Sequence, residues 1–139
     1  MPGSPEPHDL EVSLEKVTGI GGVFFRAREP EVLARWYEEC LGVTGPGASY
    51  DREPWNQEAG PTVFAPFPSD TTYFGTLDHM WMLNFRVRNL DAMVAQLRGA
   101  GVAVDLDPAT SSIGRFAHLT DPEGNRIELW EPADPDSAP

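Results

Sequence analysis

The stretch GRFAHLTDPEGNRIELWEP, Gly114 to Pro132, contains two apolar runs on either side of a turn sequence. In DPEGN, Asp121 to Asn125, Pro and Gly stand where a tight reversal of the chain requires them. The flanking runs, Ile113 to Thr120 and Arg126 to Trp130, have the composition and length of strands. The stretch therefore predicts a hairpin of two antiparallel strands.

The two faces of this hairpin follow from the alternation of side chains along a strand. If Asp121 opposes Asn125, the apolar side chains of Ile127 and Leu129 face the core. The side chains predicted on the opposite face are Arg126, Glu128 and Trp130, with His118 opposite Glu128 and Phe116 opposite Trp130. A register slip of one residue would move His118 to the other face.

Two upstream segments resemble each other, and the Phe-Arg-x-Arg of the first begins 60 residues before that of the second. They are VFFRAREPEVLARWYEECLGV, Val23 to Val43, and LNFRVRNLDAMVAQLRGAGV, Leu83 to Val102. Both contain Phe-Arg-x-Arg, and both close on a Gly followed by Val. Each copy predicts a strand followed by a helix.

The helix boundaries are marked by capping residues. Pro30 suits the first turn of the first helix, and Gly42 ends it. Asn89 or Asp91 can cap the second helix, which ends near Gly99 to Gly101.

Two further strands are predicted after these helices, at Pro61 to Phe67 and around Val102 to Leu106. The element order is then β-α-β-β-β, twice.

Composition limits the classes of partner. The formal net charge is -12, but Met1 to Glu15 and Glu131 to Pro139 together hold seven of the 22 acids and no Lys or Arg. The remaining 15 acids and ten bases give the rest of the chain a charge of -5. Because no basic stripe is present, we expect no nucleic acid partner, whereas a cationic small molecule is electrostatically allowed.

The chain is expected to form a single cytoplasmic domain. A length of 139 residues suits one hydrophobic core, and no apolar run approaches the roughly 20 residues of a membrane span. Neither a signal peptide nor a disulfide is predicted, since MPGSPEPHD lacks an apolar core and Cys40 is the lone cysteine. The predicted boundaries are an acidic disordered tail at 1–14, a domain at 15–132 with modules at about 15–76 and 77–132, and a second disordered tail at 133–139.

The repeated pattern, the opening segment GIGGVFFRA, the helix end WYEECLGV and the closing DPEGNRIELWEP together resemble the vicinal oxygen chelate superfamily. This superfamily includes glyoxalase I, bleomycin-resistance proteins and extradiol dioxygenases, and the resemblance covers roughly residues 17 to 132. It implies an α+β fold in which two βαβββ modules form a cup-shaped mixed sheet with helices outside. It also implies a homodimer.

Catalytic members of that superfamily hold a divalent metal in the cup, and the resemblance shows which positions would bind it. The two opening-strand positions are Gly22 and Met82, and a third falls at Phe64 or, with a slip, Ala65. Glycine and phenylalanine offer no ligand atom, and a thioether suits these ions poorly. Glu128 alone retains a suitable ligand, so no cofactor is predicted.

Three interpretations of Glu128 and His118 stay open. Glu128 can satisfy its buried charge with His118 or a nearby Arg. Alternatively, the pair can act as a catalytic or binding group for an organic ligand without metal, with His118 as the general base. A third interpretation is a metal site that recruits His79 or Asp78.

A set of side chains is predicted to bind the ligand, and Trp55 and Tyr73 lie in loops that can cover it. The full set is Met82, Asn84, Arg26, Arg86, Phe24, Phe116, Trp130, Trp55 and Tyr73. The resulting hypothesis is a metal-independent protein of the glyoxalase and bleomycin-resistance type that binds a small aromatic or cationic molecule. The alternative is a divalent-metal-dependent lyase, isomerase or dioxygenase.

Overall fold

The computed structural model describes residues 14–47 and 50–134. Its elements in chain order are α1 (Pro30–Leu41), β1 (Leu83–Arg86), α2 (Leu90–Gly99), β2 (Asp105–Leu106), β3 (Gly114–Thr120) and β4 (Arg126–Pro132). The strands form one sheet in the order β1-β4-β3-β2, in which β1 runs parallel to β4 and the other neighbours are antiparallel. The predicted α+β class is confirmed.

The predicted hairpin and its register are confirmed. His118 pairs with Glu128, and Phe116 pairs with Trp130. The carboxylate of Asp121 holds the turn by accepting hydrogen bonds from the backbone N–H groups of Glu123 and Asn125, at 2.8 and 3.0 Å. A carboxylate that accepts hydrogen bonds from the backbone just after it favours a tight turn, and this local preference explains why the register was predictable.

The predicted helix ends are also present. Gly42 takes a left-handed conformation after α1, where a glycine costs least. At the start of α2 the side chain of Asn89 accepts a hydrogen bond from the N–H of Ala92. Of the two candidate caps, Asn89 is therefore the one used.

The hydrophobic core lies between the helices and one face of the sheet. Its largest fully buried side chains come from α2 and β4: Leu90, Leu97, Ile127 and Leu129. Helix α1 adds Leu33 and Tyr37. Because Ile127 and Leu129 of β4 pack in this core, alternation places Arg126, Glu128 and Trp130 on the other face, where Glu128 and Trp130 are also buried.

The strands predicted for the first module are not present. Neither Pro61 to Phe67 nor the segment from Val23 carries a strand, and the Phe64 side chain is 81% exposed. A strand requires a neighbouring strand, and the described residues provide none for these segments. The strand predictions for these two segments are therefore wrong, and the described residues do not confirm the arrangement of two βαβββ modules in a cup.

Strand β2 is shorter than the predicted segment from Val102 to Leu106. The N–H of Val102 bonds to the carbonyl of Leu97 at 3.0 Å, so the chain after α2 first completes the helix end. Only Asp105 and Leu106 then reach the sheet.

The predicted tails lie almost wholly outside the described residues, which reach into them only at 14, 133 and 134. Within the described ranges, no helix has the length and apolar character needed to cross a bilayer.

Candidate functional site

Three donors converge on the carboxylate of Glu128, in the middle of β4. The side-chain amide of Asn84 donates to Oε1 at 2.7 Å. On Oε2, the His118 Nε2 lies at 2.8 Å, and the hydroxyl of Tyr73 donates a short hydrogen bond. The strand pairings place Asn84 and His118 on either side of Glu128, since both are its direct partners in the sheet.

The geometry indicates which ring nitrogen of His118 carries the proton. Nε2 faces a carboxylate, which accepts hydrogen bonds but cannot donate when ionised. A proton on Nε2 therefore satisfies both groups. In that tautomer the Nδ1 atom carries no proton and is a hydrogen-bond acceptor.

The pKa values of Glu128 and Tyr73 move in opposite directions. Burial acts to raise the pKa of Glu128, but the hydrogen bonds from His118, Tyr73 and Asn84 outweigh it and hold the pKa below the ordinary value. Burial and the bond to the Glu128 anion both raise the pKa of the Tyr73 phenol. At neutral pH the site therefore holds a charged carboxylate beneath a protonated phenol.

Tyr73 reaches the site from outside the sheet. It belongs to the turn-rich segment that follows Phe67, and its ring stacks on Phe67 at a centroid distance of 5.8 Å. Its side chain covers the polar groups of the sheet but remains 39% exposed. Asn84 is exposed as well, but Tyr73 is the one of the three donors that no strand pairing holds beside Glu128.

The predicted aromatic pair lies next to these polar groups. The rings of Phe116 and Trp130 are nearly parallel, with centroids 6.5 Å apart. The indole N–H of Trp130 donates to the carbonyl of Ile113 at 2.7 Å. This hydrogen bond fixes the Trp130 ring as a rigid apolar wall at one end of the Glu128 site.

Other predicted binding residues lie elsewhere. Arg86 donates to the carbonyls of Glu58 and Pro61 at 2.8 and 2.5 Å, so it holds a loop rather than an open cavity. Trp55 packs edge-on against Phe85, on the core side of β1, because Phe85 alternates with Asn84.

Arg26, Phe24 and Met82 are likewise outside the hydrogen-bonded group. Arg26 lines a shallow cleft beside the hairpin turn with Glu123. Phe24 is 88% exposed. Met82 is half-buried one residue before β1, on the strand side that alternation shares with Asn84.

A larger cleft of about 350 Å³ lies on the helix side of the molecule. It is bounded by the start of α1 and by the hairpin turn, and the Glu123 carboxylate within it accepts the backbone N–H groups of Arg28 and Glu29. Because these hydrogen bonds satisfy the carboxylate of Glu123, we interpret the cleft as a packing contact between α1 and the turn.

The residues around Glu128 do not fit a divalent metal of the superfamily type. Carboxylate, imidazole, phenol and amide groups there bond to one another, and Glu128 is the single carboxylate among them. No group of three or more His, Cys, Asp or Glu side chains within 14–47 and 50–134 is placed to hold a metal ion. The carboxylate of Asp78 accepts a hydrogen bond from the Thr76 hydroxyl, and the backbone N–H of His79 donates to the Thr76 carbonyl at 3.0 Å.

Two features of this region were not assigned to a site from sequence. Alternation predicted that Arg126 lies on the face of Glu128. That its Nε has no hydrogen-bond acceptor among the described residues is visible only in the structure. Its guanidinium carbon lies 5.8 Å from the centre of the Tyr73 ring, and its Nε is buried without a hydrogen-bond partner in the described chain. The second feature is Tyr37, whose hydroxyl donates to the buried Asp121 at 2.7 Å and links α1 to the hairpin turn.

A family model described as a glyoxalase-like domain matches residues 22–130. Among curated proteins, "Putative glyoxylase CFP32" of Mycobacterium bovis and of Mycobacterium tuberculosis is 31% identical over 113 residues. The match covers 76% of this chain and 41% of that protein, so the chain spans about two-fifths of the length of these relatives.

Two solved structures are similar to this chain, and the first of them shares its fold. A protein from the mobile metagenome of V. Pseudocholerae, VPC_CASS1, is 18% identical with a TM-score of 0.55, over 87% of this chain and 99% of that one. TnmS3, an antibiotic binding protein from Streptomyces sp. CB03234, is 28% identical with a TM-score of 0.46, over 76% and 88% of the two chains.

Proposed function

The chain belongs to the glyoxalase-like domain family, within the vicinal oxygen chelate superfamily, and from that premise we propose that it binds a small organic molecule without a metal ion. The binding surface is the face of the sheet that carries Glu128, His118 and Asn84. The observation that carries this proposal is the convergence of three donors on Glu128, one of which comes from a partly exposed loop.

The ligand group that fits is a hydroxyl or an N–H. Asn84 and His118 are fixed by the sheet, whereas Tyr73 reaches Glu128 from a loop. A ligand that donates a hydrogen bond to Glu128 can take the place of the Tyr73 hydroxyl, and the displaced loop can close over it. Trp130 and Phe116 then offer apolar surface to a flat ligand.

The proposal is tested by screening a library of aromatic alcohols and amines by thermal shift against three proteins. These are wild type, Glu128→Gln and the control Glu39→Gln, which makes the same chemical change at an exposed position of α1. Compounds that raise the melting temperature of wild type and Glu39→Gln are expected to lose their effect on Glu128→Gln. Compounds that stabilise all three proteins equally would contradict the proposed site.

Tyr73→Phe gives a result of the opposite sign. Removing the hydroxyl relieves its competition with the ligand, so we expect affinity to rise by about fivefold, equivalent to one hydrogen bond of about 1 kcal/mol. Isothermal titration with a compound from the screen measures this. If Tyr73→Phe weakens binding as much as Glu128→Gln does, Tyr73 contacts the ligand directly instead of competing with it.

The proposal includes a homodimer in which the cup is completed by a second copy. Its support is the exposure of several large apolar side chains before β1, because exposed apolar surface can mark a protein–protein interface. They include Phe24, Val63, Phe64, Met80 and Trp81. Strand β1 also forms one edge of the sheet, so its outer side is open to another strand.

Light scattering during gel filtration tests this assembly. We expect a dimer for wild type and a monomer for the double variant Phe64→Glu with Trp81→Glu, because two buried charges would oppose association. The exposed control Glu39→Gln should remain dimeric. A wild-type monomer at high protein concentration would contradict the homodimer.

The cytoplasmic location is also part of the proposal, and its support is the sequence alone.

A further inference from the structure

Arg126 lacks the carboxylate partner that several other arginines of the described residues have. Arg52, Arg88 and Arg115 each form an ion pair with a carboxylate. Arg126 forms none within 14–47 and 50–134, and its Nε is buried without a hydrogen-bond acceptor. A buried guanidinium N–H without an acceptor is costly, and native proteins rarely retain one without a reason.

The position of Arg126 connects it to the binding face. It stands two residues before Glu128 on β4, so both side chains emerge on the same side of the sheet. Two residues along a strand span roughly 7 Å. The face therefore presents a cation without an acceptor and a carboxylate with its hydrogen bonds satisfied, at a spacing set by the backbone.

Tyr73 demonstrates the kind of group that fits between them. Its phenol hydroxyl donates to Glu128 while its ring lies 5.8 Å from the Arg126 guanidinium carbon. A hydroxyphenyl group thus already occupies the site, contributed by the protein itself. What the Tyr73 side chain lacks is an anionic group for Arg126.

From this arrangement we infer that the ligand is an aromatic acid, with a carboxylate that binds Arg126 and a hydroxyl or N–H that binds Glu128. This inference rests on the proposed function and adds the charge of the ligand. The surplus acidity of the whole chain allows a cationic ligand, but the group lacking a partner on this face is positive. Because Glu128 already accepts three hydrogen bonds, a ligand cation would gain less there than an anion gains at Arg126.

Three probes of one shape separate these alternatives: 4-hydroxybenzoate, its neutral amide 4-hydroxybenzamide and its cationic counterpart 4-hydroxybenzamidine. In each, the hydroxyl and the variable group stand at opposite ends of a benzene ring, which suits the spacing of Glu128 and Arg126. Binding is followed by NMR on ¹⁵N-labelled protein, through the Nε–H signal of Arg126 and the side-chain amide signal of Asn84.

We expect 4-hydroxybenzoate to bind about tenfold more tightly than the amide, with a shift of the Arg126 Nε–H signal. Arg126→Gln should abolish this difference. The control Arg52→Gln removes the same charge from an exposed ion pair and should preserve it. The wild-type Nε–H signal keeps the test decisive even if Arg126→Gln folds poorly.

The outcomes separate this inference from the proposed function. If the amide or the amidine binds as tightly as the acid, and Glu128→Gln abolishes that binding, the acid preference is wrong while the binding face stands. If the acid preference persists in Arg126→Gln, another group provides it and the inference is overturned. If none of the probes shifts any signal of this face, both the inference and the proposed function are contradicted.

Discussion

The two repeat segments of this chain adopt different structures although their sequences are similar. Leu83–Arg86 forms β1 beside β4, whereas the corresponding residues from Val23 to Arg26 form no strand. Both segments contain the same Phe-Arg pair, so local sequence preference does not explain the difference. Pairing does: β4 provides β1 with a neighbour, and the described residues provide none for the first segment.

The buried core and most of the site residues belong to the second half of the chain. The deeply buried residues belong to α2 and the sheet, and so do Asn84, His118 and Glu128 of the site. The first half contributes α1 and the loop that carries Tyr73. The second half is therefore the rigid part of the binding face, and the first half provides its cover.

The largest expected effect is the difference in stability between truncating an apolar side chain in the second half and truncating one in the first half. Leu129→Ala removes a side chain that is 0% exposed and should lower the free energy of unfolding by about 3 kcal/mol through the cavity it leaves. Phe64→Ala, at an 81% exposed position, should change it by less than about 0.5 kcal/mol in the monomer. Urea denaturation at low protein concentration measures both, and equal losses would contradict the contrast.

A smaller loss of stability is expected when the hydrogen bond between α1 and the hairpin turn is removed. Tyr37→Phe removes the hydroxyl that donates to buried Asp121, which should cost about 1 to 2 kcal/mol. Tyr50→Phe is the matched control, because Tyr50 is exposed. If the two variants have the same stability, the link between α1 and the turn contributes nothing.

The next effect depends on pH. The folded pKa of Glu128 lies below its ordinary value of 4.5, so the unfolded chain takes up a proton first as the pH falls. The stability that Glu128 provides is thus present above pH 4.5 and is lost as the pH falls through the folded pKa. The free energy of unfolding of wild type should exceed that of Glu128→Gln by about 1 kcal/mol near pH 7. This difference in stability should narrow below pH 4.5.

Urea denaturation of both proteins between pH 3 and pH 7 measures that gap, with Glu39→Gln as the control. A gap that widens in acid would mean that the carboxylate is destabilised in the folded state, contrary to the hydrogen bonds assigned to it.

The smallest effect concerns the exposed ion pair of Arg52 and Glu38. Both partners are well exposed, so Arg52→Gln should change the free energy of unfolding by less than about 0.5 kcal/mol. A larger loss would show that the loop after α1 is more firmly held than the exposure of this pair implies. The result also validates Arg52→Gln as a control for Arg126→Gln.

The sequence was sufficient where local rules determine structure. The DPEGN turn set the register that pairs His118 with Glu128, and Gly42 and Asn89 marked the helix boundaries. It failed for Pro61 to Phe67, because composition predicts a capacity for strand formation but not the presence of a neighbour.

The same limit applies to the site. Asn84 and His118 were predicted from alternation, and Tyr73 from its position in a loop, whereas Arg86 and Trp55 contact other parts of the chain. The missing acceptor of Arg126 depends on every side chain around it, so no pattern in the sequence could reveal it.

A small molecule is proposed to bind on the sheet face around Glu128. The most direct measurement is the ¹H–¹⁵N NMR spectrum of wild-type protein with a compound selected by thermal shift. We expect the largest shifts at the Asn84 side-chain amide, the His118 ring and the Trp130 indole. Shifts confined to Arg28, Glu29 and Glu123, around the cleft at the start of α1, would contradict it.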